Sequence, residues 1–459
     1  MKHISTLLAD RRLTAEQREA AYIEAFIEKY RSIPEEQKGR REAECLLIQH
    51  CYAIQEMQTD DLLLGRYIEP SVGFAMQDSG MGYYLNEGRL QKTIENLSGE
   101  EQQKLEELAA WWRPRTGREQ LVAKTPAHVL EVIPTDRFHS ESNVGFWLCR
   151  MSSTQLDFDK LLRKGIAGLK KEITVQLEKS ADANSRTLYQ DMIFVLDQFT
   201  SIVQYHAKRL LESNHPRREE LSRLLNNISV NLPVTFHEAV QLMYLYALVS
   251  GTYNYGRLDE YLGDLLAQDL NSGRIRWDDA RQILVYLWRL MIQRKTTWNG
   301  RVIIGGLGRR NEQNADQCAK LVLEVADIVK DVLPQLTLRF HSGQNPELYD
   351  RALRGIGRGN VYPLLYNDEV NIPSVENAFR VTHEEAIHYL PFGCGEYILY
   401  HRSVGTPSDV INLLKALEIT IFNGYDHLSG KQIGLKTGEF ESFETFEAFY
   451  DAYCQQVER

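Results

Sequence analysis

The sequence contains no Cys-x-x-Cys pair. Six cysteines are present, and none has the spacing of a zinc ligand set. A disulfide scaffold is typical of short secreted chains, whereas this chain has 459 residues. The cysteines therefore predict reduced thiols in a cytoplasmic protein, with no metal site. Their positions are Cys45, Cys51, Cys149, Cys318, Cys394 and Cys454.

The chain also lacks an excess of basic residues and a long apolar run. Its 53 Lys and Arg against 63 Asp and Glu give a formal net charge of −10. A protein that binds nucleic acid usually has an excess of basic residues, so this charge argues against that class. The most apolar run, residues 239–250, is interrupted by Gln241 and is too short to span a bilayer. The first residues show no apolar segment of a secretory signal. We therefore expect a globular protein with neither nucleic-acid nor membrane partners, in which any anionic ligand must be met by local basic residues.

What the sequence does contain is a change of pattern near its middle. Up to about residue 230, apolar residues recur at helical spacing. After residue 300, short β-type runs at 301–306, 335–341 and 362–366 alternate with helical segments. Such alternation is typical of parallel strands joined by helices, so the fold class is predicted as α/β. We divide the chain into a mainly helical region, 1–230, and an α/β region, 231–459.

Several helix boundaries can be predicted from capping residues. Thr14 and Ser98 each begin a capping box that precedes an apolar helical pattern. Residues 236–248 are apolar nearly all round and are predicted to be buried. Asp409 is predicted to cap a helix that runs through Ile421. The last apparent helix, 443–457, reaches almost to the last residue, and we expect that the sequence has been cut there.

The segment most suggestive of chemistry is Pro391-Phe392-Gly393-Cys394-Gly395-Glu396-Tyr397. Glycine on both sides of a thiol lets the backbone bend and approach a substrate closely. Glu396 supplies a carboxylate two residues further on. An isolated cysteine is more often a small buried apolar residue, so this segment needs support from the rest of the chain.

Other motifs lead to weaker hypotheses. His237-Glu238 begins like a zinc-protease motif, but Gln241 stands where the second histidine is required. Glycines at 355, 357 and 359 follow a helix and precede a strand, which is the wrong order for a dinucleotide site. His388 and His401 are near Cys394 in sequence, but nothing places either as the base of a thiol hydrolase.

Taken in order, a set of segments resembles the glycyl radical enzymes, the pyruvate formate-lyase-like superfamily. The resemblance is specific from about Pro233 to Gly424. The segments are Thr235-Phe236-His237-Glu238-Ala239-Val240-Gln241, Gly256-Arg257-Leu258-Asp259-Glu260-Tyr261-Leu262, Ile303-Ile304-Gly305-Gly306, Pro334-Gln335-Leu336-Thr337-Leu338-Arg339-Phe340-His341, Leu365-Tyr366-Asn367-Asp368-Glu369, Gly393-Cys394-Gly395-Glu396 and Ile411-Asn412-Leu413 to Glu418.

The resemblance implies a fold and a chemistry. The family fold is a ten-stranded α/β barrel of two five-stranded halves, wrapped by helices, with a cysteine loop inside; this chain is expected to form the first half. By resemblance, Cys394 is the thiyl radical residue, which takes a hydrogen atom from a substrate carbon and returns it later. Glu396 matches the acid/base carboxylate of the family's C-x-E class.

This sequence departs from the family pattern in four respects. The stable radical of the family rests on a glycine in a C-terminal R-V-x-G-Y motif; Gly424-Tyr425 lacks the preceding Arg-Val. Gly395 and Tyr397 replace the usual Val and Pro around the Cys-x-Glu motif. Diol dehydratases of the family have His-Ser where Gly251-Thr252 stands, which weakens a diol assignment. Pyruvate formate-lyase itself has two adjacent cysteines, whereas Cys394 has no adjacent cysteine, which disfavours formate chemistry.

The sequence therefore leads to two hypotheses. The first is a subunit or fragment of a lyase-type glycyl radical enzyme of anaerobic metabolism, which would carry out dehydration, decarboxylation or C–N/C–S cleavage on a small organic substrate. By resemblance, its glycyl radical would come from a missing C-terminal half, either of the same chain or on a second polypeptide. Its other partners would be a radical S-adenosylmethionine activating enzyme and a second copy of the chain in a homodimer. The alternative is a non-catalytic truncated homologue that binds a partner. The predicted substrate-binding residues are Thr252, Tyr253, Tyr255 and Tyr397.

Overall fold

A computed structural model describes residues 12–75, 82–132, 145–147, 155–295, 300–392, 396–400, 402–403 and 409–458. The N-terminal part is helical, with one short β-hairpin. Its elements are α1 Ala15–Ser32, α2 Lys38–Ala53, β1 Val72–Ala75, β2 Gly82–Leu85, α3 Glu87–Glu95, α4 Gly99–Trp112, α5 Gly117–Lys124, α6 Ala127–Val132 and β3 Gly145–Trp147. Both predicted capping boxes are present, at Thr14 and at Ser98. Side chains of α1, α2, β1, β2, α3 and α4 form a core of their own around Tyr22, Phe26 and Trp112.

A second group of helices follows. These are α7 Phe158–Lys179, α8 Ala183–Leu211, α9 Arg218–Ile228 and α10 Phe236–Val249. Nearly every side chain of α10 is buried, as its uniformly apolar sequence predicts. Thr235 and Glu238 form a capping box that begins this helix. Because α10 is enclosed on all sides, it is the central helix of the main core.

The remaining chain alternates strands and helices, which confirms the predicted α/β class. Its elements are β4 Gly256–Arg257, α11 Leu258–Asn271, α12 Trp277–Gln293, β5 Arg301–Gly305, α13 Glu312–Val329, β6 Gln335–Phe340, α14 Pro346–Gly357, β7 Leu364–Asn367, α15 Asp368–Phe379, α16 His383–Ala386, β8 Tyr389–Phe392, β9 Glu396–Leu399, β10 Asp409–Ile411, α17 Leu413–Ile421, β11 Tyr425–Asp426, β12 Lys431–Gln432 and α18 Phe446–Glu458. Strands β4, β5, β6 and β7 form a parallel sheet in sequence order.

The two faces of this sheet differ. Val302, Ile304, Leu336 and Leu338 belong to the main helix core, so helices cover one face. Ile303, whose side chain points to the other face, packs with the hairpin residues Leu390, Phe392 and Ile398. The β8–β9 hairpin therefore crosses the face that the helices leave open.

The segment after the hairpin differs from the prediction. Asp409 does not cap a helix, because residues 409–411 form β10, which pairs antiparallel with β3. The helix begins two residues later, and the side chain of Asn412 accepts a hydrogen bond from the backbone N–H of Lys415 at 3.0 Å. Pairing with a strand far away in the sequence was not visible in the local pattern.

The predicted division near residue 230 stays a prediction. The main core contains side chains from both sides of that position, including Leu47, Ile202 and Val302. Within the described ranges, no helix is both long enough and apolar enough to cross a lipid bilayer.

Candidate active site

The β8–β9 hairpin presents the predicted acid/base residue. The two strands are antiparallel, with Phe392 opposite Glu396. Residues 393–395 join them and lie outside the described residues, and these include the predicted radical residue Cys394. Glu396 is the first residue of β9, and its side chain is exposed. The carboxylate thus lies at the tip of the hairpin, two positions after the thiol.

Tyr366 on β7 is the neighbour through which Glu396 is connected to the parallel sheet. Burial raises the pKa of the Tyr366 phenol, the positive charge of Arg301 acts to lower it, and the nearby Tyr397 and Glu396 act to raise it. The rings of Tyr366 and Tyr397 are perpendicular, with their centroids 6.2 Å apart. The Tyr397 hydroxyl donates to Asn371 Oδ1 at 2.9 Å. Tyr397 was predicted from the sequence, whereas Tyr366 and Asn371 were missed as site residues.

Arg301, the first residue of β5, was also missed. Its side chain is almost fully buried and donates to Thr337 Oγ1 at 2.7 Å and to Gln335 Oε1 at 3.0 Å. Gln335 lies opposite Arg301 in the parallel pair. An arginine at the start of an apolar strand is the signal that could have identified it, because a buried guanidinium needs several acceptors.

The other predicted residues gather around an arginine that the sequence reasoning did not single out. Arg294 follows α12, and its Nη1 donates to the backbone carbonyl of Thr252 at 2.8 Å. Its guanidinium carbon lies 3.8 Å from the ring centroid of Tyr253, which is cation–π geometry. The Tyr255 phenol lies beside the same guanidinium; burial raises the pKa of this phenol, whereas the charge of Arg294 acts to lower it. Thr252, Tyr253 and Tyr255 therefore share one cationic partner.

The predicted site residues thus form two groups in the structure. Glu396 and Tyr397 lie on the hairpin, and the segment 252–255 surrounds Arg294. Arg301 connects the groups: it influences Tyr366 beside Glu396, and its backbone carbonyl accepts a hydrogen bond from the Tyr255 N–H at 2.9 Å. The connection between the two groups therefore runs through Arg301, at the amino end of β5.

The carboxyl end of the sheet holds a buried ionic network. Arg339 contacts Asp368 through two hydrogen bonds of 2.9 Å, and both side chains are fully buried. Asp368 also accepts from the Tyr389 hydroxyl and the Leu307 N–H, each at 2.7 Å. Burial would raise the pKa of this carboxyl, but Arg339 and the other donors hold it below its usual value.

Asp259 has a similar position in the network. It accepts from the Gly305 N–H at 2.7 Å and from Arg309 at 3.2 Å. Burial raises its pKa, and Arg309 only partly offsets this effect. Arg257, two positions before Asp259, donates to the backbone carbonyls of Gly305 and Gly306 at 2.9 and 3.2 Å. These motif residues hold the strand ends in place.

The weaker motif at His237-Glu238 also has a structural explanation. Glu238 completes the capping box of α10, and His237 Nε2 lies 2.8 Å from the Leu62 carbonyl oxygen. In the part of the chain that the structure describes, no three His, Cys, Asp or Glu side chains are grouped as metal ligands.

Comparison with known proteins agrees with this architecture. The chain matches the pyruvate formate lyase-like family over residues 4–459. It belongs to that family, the glycyl radical enzymes, which work through a protein radical.

Among relatives, it is 23% identical over 391 residues to trans-4-hydroxy-L-proline dehydratase of Clostridioides difficile. It is 28% identical over 401 residues to isethionate sulfite-lyase of Oleidesulfovibrio alaskensis. Each match covers 77% of this chain and 48% of the relative, so the chain spans about half the length of these relatives.

A solved structure extends the comparison to the fold. The glycerol-bound form of the B12-independent glycerol dehydratase from Clostridium butyricum superposes with a TM-score of 0.75 at 21% identity. The match covers 99% of this chain and 61% of the dehydratase chain. The fold of the chain is therefore that of a glycyl radical enzyme.

Proposed function

We propose that this chain carries the thiyl and acid/base residues of a lyase-type glycyl radical enzyme, with Cys394 and Glu396 in these roles. The reaction class is dehydration, decarboxylation or C–N/C–S cleavage of a small organic substrate. The observation that carries the proposal is the position of the hairpin. It runs along the face of the parallel sheet opposite the helices, and it brings Glu396 close enough to Tyr366 for the carboxylate to act on the pKa of that phenol.

The chemistry requires the two residues to act in sequence. A sulfur radical on Cys394 takes a hydrogen atom from a substrate carbon, which leaves a thiol and a carbon radical. The S–H and activated C–H bonds are similar in strength, so the transfer is reversible. The carbon radical expels its leaving group while Glu396 transfers a proton to or from the substrate. The product radical then regains a hydrogen atom from the thiol.

The remaining predicted residues are proposed to bind the substrate. Tyr397 lies on the hairpin beside Tyr366, while Thr252, Tyr253 and Tyr255 lie on the loop attached to Arg301. Phenol and hydroxyl groups can hydrogen-bond a polar substrate and also cover an apolar one. The relatives are named for hydroxyproline dehydration and for release of sulfite from isethionate. For this chain we propose the same broad class of reaction without choosing a substrate.

The proposed reaction needs a source of the radical. The chain spans about half the length of its relatives, and we propose that a region with the family's R-V-x-G-Y motif, on the same polypeptide or on a second one, supplies the glycyl radical. A radical S-adenosylmethionine activating enzyme generates it, and the working assembly is a homodimer of the combined chains. The unpaired electron reaches Cys394 from the glycyl residue.

The proposal is tested by anaerobic activation of the chain together with a polypeptide that carries the R-V-x-G-Y motif. We expect a glycyl doublet in the electron paramagnetic resonance spectrum, and turnover that Cys394→Ala abolishes without removing the doublet. Cys454→Ala is the matched control, since Cys454 is a partly exposed free cysteine on α18. Turnover that survives in the Cys394→Ala variant would exclude the thiyl role, and a chain that gives no turnover with any activated partner would be a non-catalytic homologue.

The acid/base role is tested separately with Glu396→Gln. We expect kcat to fall by about 10²–10⁴-fold while the radical signal is unchanged, because proton transfer and radical formation are different steps. An unchanged kcat would remove Glu396 from the mechanism but leave Cys394 in place.

A further inference from the structure

Arg294 has an unusual environment for an interior arginine. It is half-buried, and its contacts are the Thr252 carbonyl oxygen at 2.8 Å, the ring of Tyr253 at 3.8 Å and the phenol of Tyr255. Tyr244, another neighbour, is fully buried. All of these groups are uncharged at neutral pH, because a phenol ionises near pH 10 and burial raises the pKa of Tyr255 further.

Within the described part of the chain, no carboxylate balances the charge of Arg294. Among the residues that the structure describes, neither Asp nor Glu forms an ion pair with Arg294, whereas Arg339 is paired with Asp368 and Arg309 with Asp259 and Asp316. An arginine cannot release its proton to escape such a site. A cation removed from water and left without an anion is destabilising, and a bound anion removes that penalty.

The guanidinium also retains capacity for a ligand. It has five N–H donors in a planar fork that fits a carboxylate through two parallel hydrogen bonds. The contacts to Thr252 and Tyr255 use only part of this capacity. Tyr253 covers one face of the group, so a ligand is directed to the edge of the guanidinium plane.

The position of Arg294 connects it to the candidate active site. Its partners Thr252, Tyr253 and Tyr255 are the residues that the sequence predicts to bind substrate, and Tyr255 is hydrogen-bonded to the backbone of Arg301. We propose that Arg294 binds a carboxylate group of the substrate and makes this site selective for small anions. The inference rests on the proposed function, because the radical site defines what the substrate is.

The test uses two small molecules of nearly equal size, glycolate and the neutral glycolamide, and measures their binding to the 459-residue chain by isothermal titration calorimetry. No radical is needed for this measurement. We expect glycolate to bind at least about tenfold more tightly than glycolamide, since a hydrogen-bonded ion pair is stronger than a neutral contact.

The variants separate a ligand-binding role from a structural one. Arg294→Gln should abolish the preference for glycolate, and Arg294→Lys should restore part of it, because lysine keeps the charge but lacks the fork. Arg289→Gln is the matched control: it removes the same charge from an exposed position on the same helix.

Two results would overturn the inference: equal binding of glycolate and glycolamide to the wild-type chain, or glycolate binding by Arg294→Gln that matches the wild type. Failure of the proposed function has a different signature. In that case Cys394→Ala turns over normally or no radical forms, while binding of glycolate through Arg294 can still be present.

Discussion

At the carboxyl end of the parallel sheet, Arg339 is held by the two oxygens of Asp368, whereas near the amino end Arg294 lies among tyrosines and a backbone carbonyl. The side chain of Arg339 is fully buried, is paired with a carboxylate and also donates to the backbone carbonyls of Tyr389 and Ile387. Arg294 is half-buried and has only neutral partners among the described residues. An arginine that is paired with a carboxylate inside the fold contributes to stability. An arginine whose charge has no such partner can bind an anionic ligand.

The same difference separates the sequence motifs. Arg257, Asp259, Arg339 and Asp368 all belong to segments that resemble the family, yet the structure places them in contacts that hold strand ends and loops. The hairpin and the segment 252–255 present side chains that are proposed to meet the substrate. Four predictions test this separation.

The largest loss of stability is expected when one partner is removed from the buried Arg339–Asp368 pair at the carboxyl end of the sheet. Arg339→Ala leaves the carboxylate of Asp368 buried without its counter-charge, and the free energy of unfolding should fall by about 3–5 kcal/mol. Denaturant unfolding measures this change. Arg276→Ala is the control, because Arg276 and Asp279 form an exposed pair on the surface and little change is expected there. Similar losses in both variants would contradict the assignment.

The second effect concerns the close packing around the same pair. Gly306 has φ +80°, and a Cβ added there would lie 2.7 Å from Arg339 Cβ and 2.7 Å from Asp368 Oδ2. Gly306→Ala should therefore cost about 2–3 kcal/mol of stability from backbone strain and overpacking. Gly273 has φ +69° with no atom within 4 Å of an added Cβ, so Gly273→Ala should cost about 1 kcal/mol, from backbone strain alone. Equal losses of stability in the Gly306→Ala and Gly273→Ala variants, measured by thermal or denaturant unfolding, would show that Arg339 and Asp368 can move without cost.

The third effect is a dependence of stability on pH. The folded-state pKa of Asp368 is lowered, so its contribution to stability is complete above the ordinary carboxyl pKa and is lost as pH falls through that value and below. Asp368→Asn should cost about 2 kcal/mol at pH 7, because four hydrogen bonds to a charged acceptor are weakened. The difference between the wild type and this variant should shrink as denaturation is repeated from pH 7 down to pH 3. A difference that stays constant or grows toward acid would show that the carboxylate is not stabilised in the fold.

The smallest change in stability is expected when Arg294 is replaced. Arg294→Gln should change the free energy of unfolding by less than about 1 kcal/mol, since the lost hydrogen bond to Thr252 is offset by removal of an unbalanced charge. Denaturant unfolding in parallel with Arg339→Ala gives the comparison directly. If the two variants were equally destabilised, Arg294 would be a structural residue and the contrast between the two ends would fail.

Much of the fold could be predicted because it depends on local patterns. The strands at 301–305 and 335–340 were visible as β-type runs, and the buried helix 236–249 was visible as an unbroken apolar stretch. The capping box at Thr14 depends on residues three positions apart. Asp409 was assigned wrongly because its partner in β3 is more than 250 residues away, and no local pattern reports such a pairing.

The candidate site could be predicted only in part. Glu396 and Tyr397 were predicted because they adjoin a glycine-flanked cysteine, and segment 252–255 was predicted because it precedes a motif that resembles the family; both stay predictions. Arg294 and Arg301 lie at the end of a helix and at the start of a strand, where an arginine usually faces solvent. Their roles depend on which residues surround them, and Tyr366 and Asn371 were missed for the same reason.

By itself, the sequence determined where many helices and strands lie, because these depend on local patterns of residue types. The resemblance of its motifs to the glycyl radical enzymes supplied the family and the candidate pair Cys394 and Glu396. Only the tertiary structure decided that Arg339 is neutralised by Asp368 while Arg294 is enclosed by tyrosines, because the effect of a charge depends on its neighbours in space. A carboxylate close enough to form an ion pair can come from any part of the chain, so this distinction has no signature in the sequence.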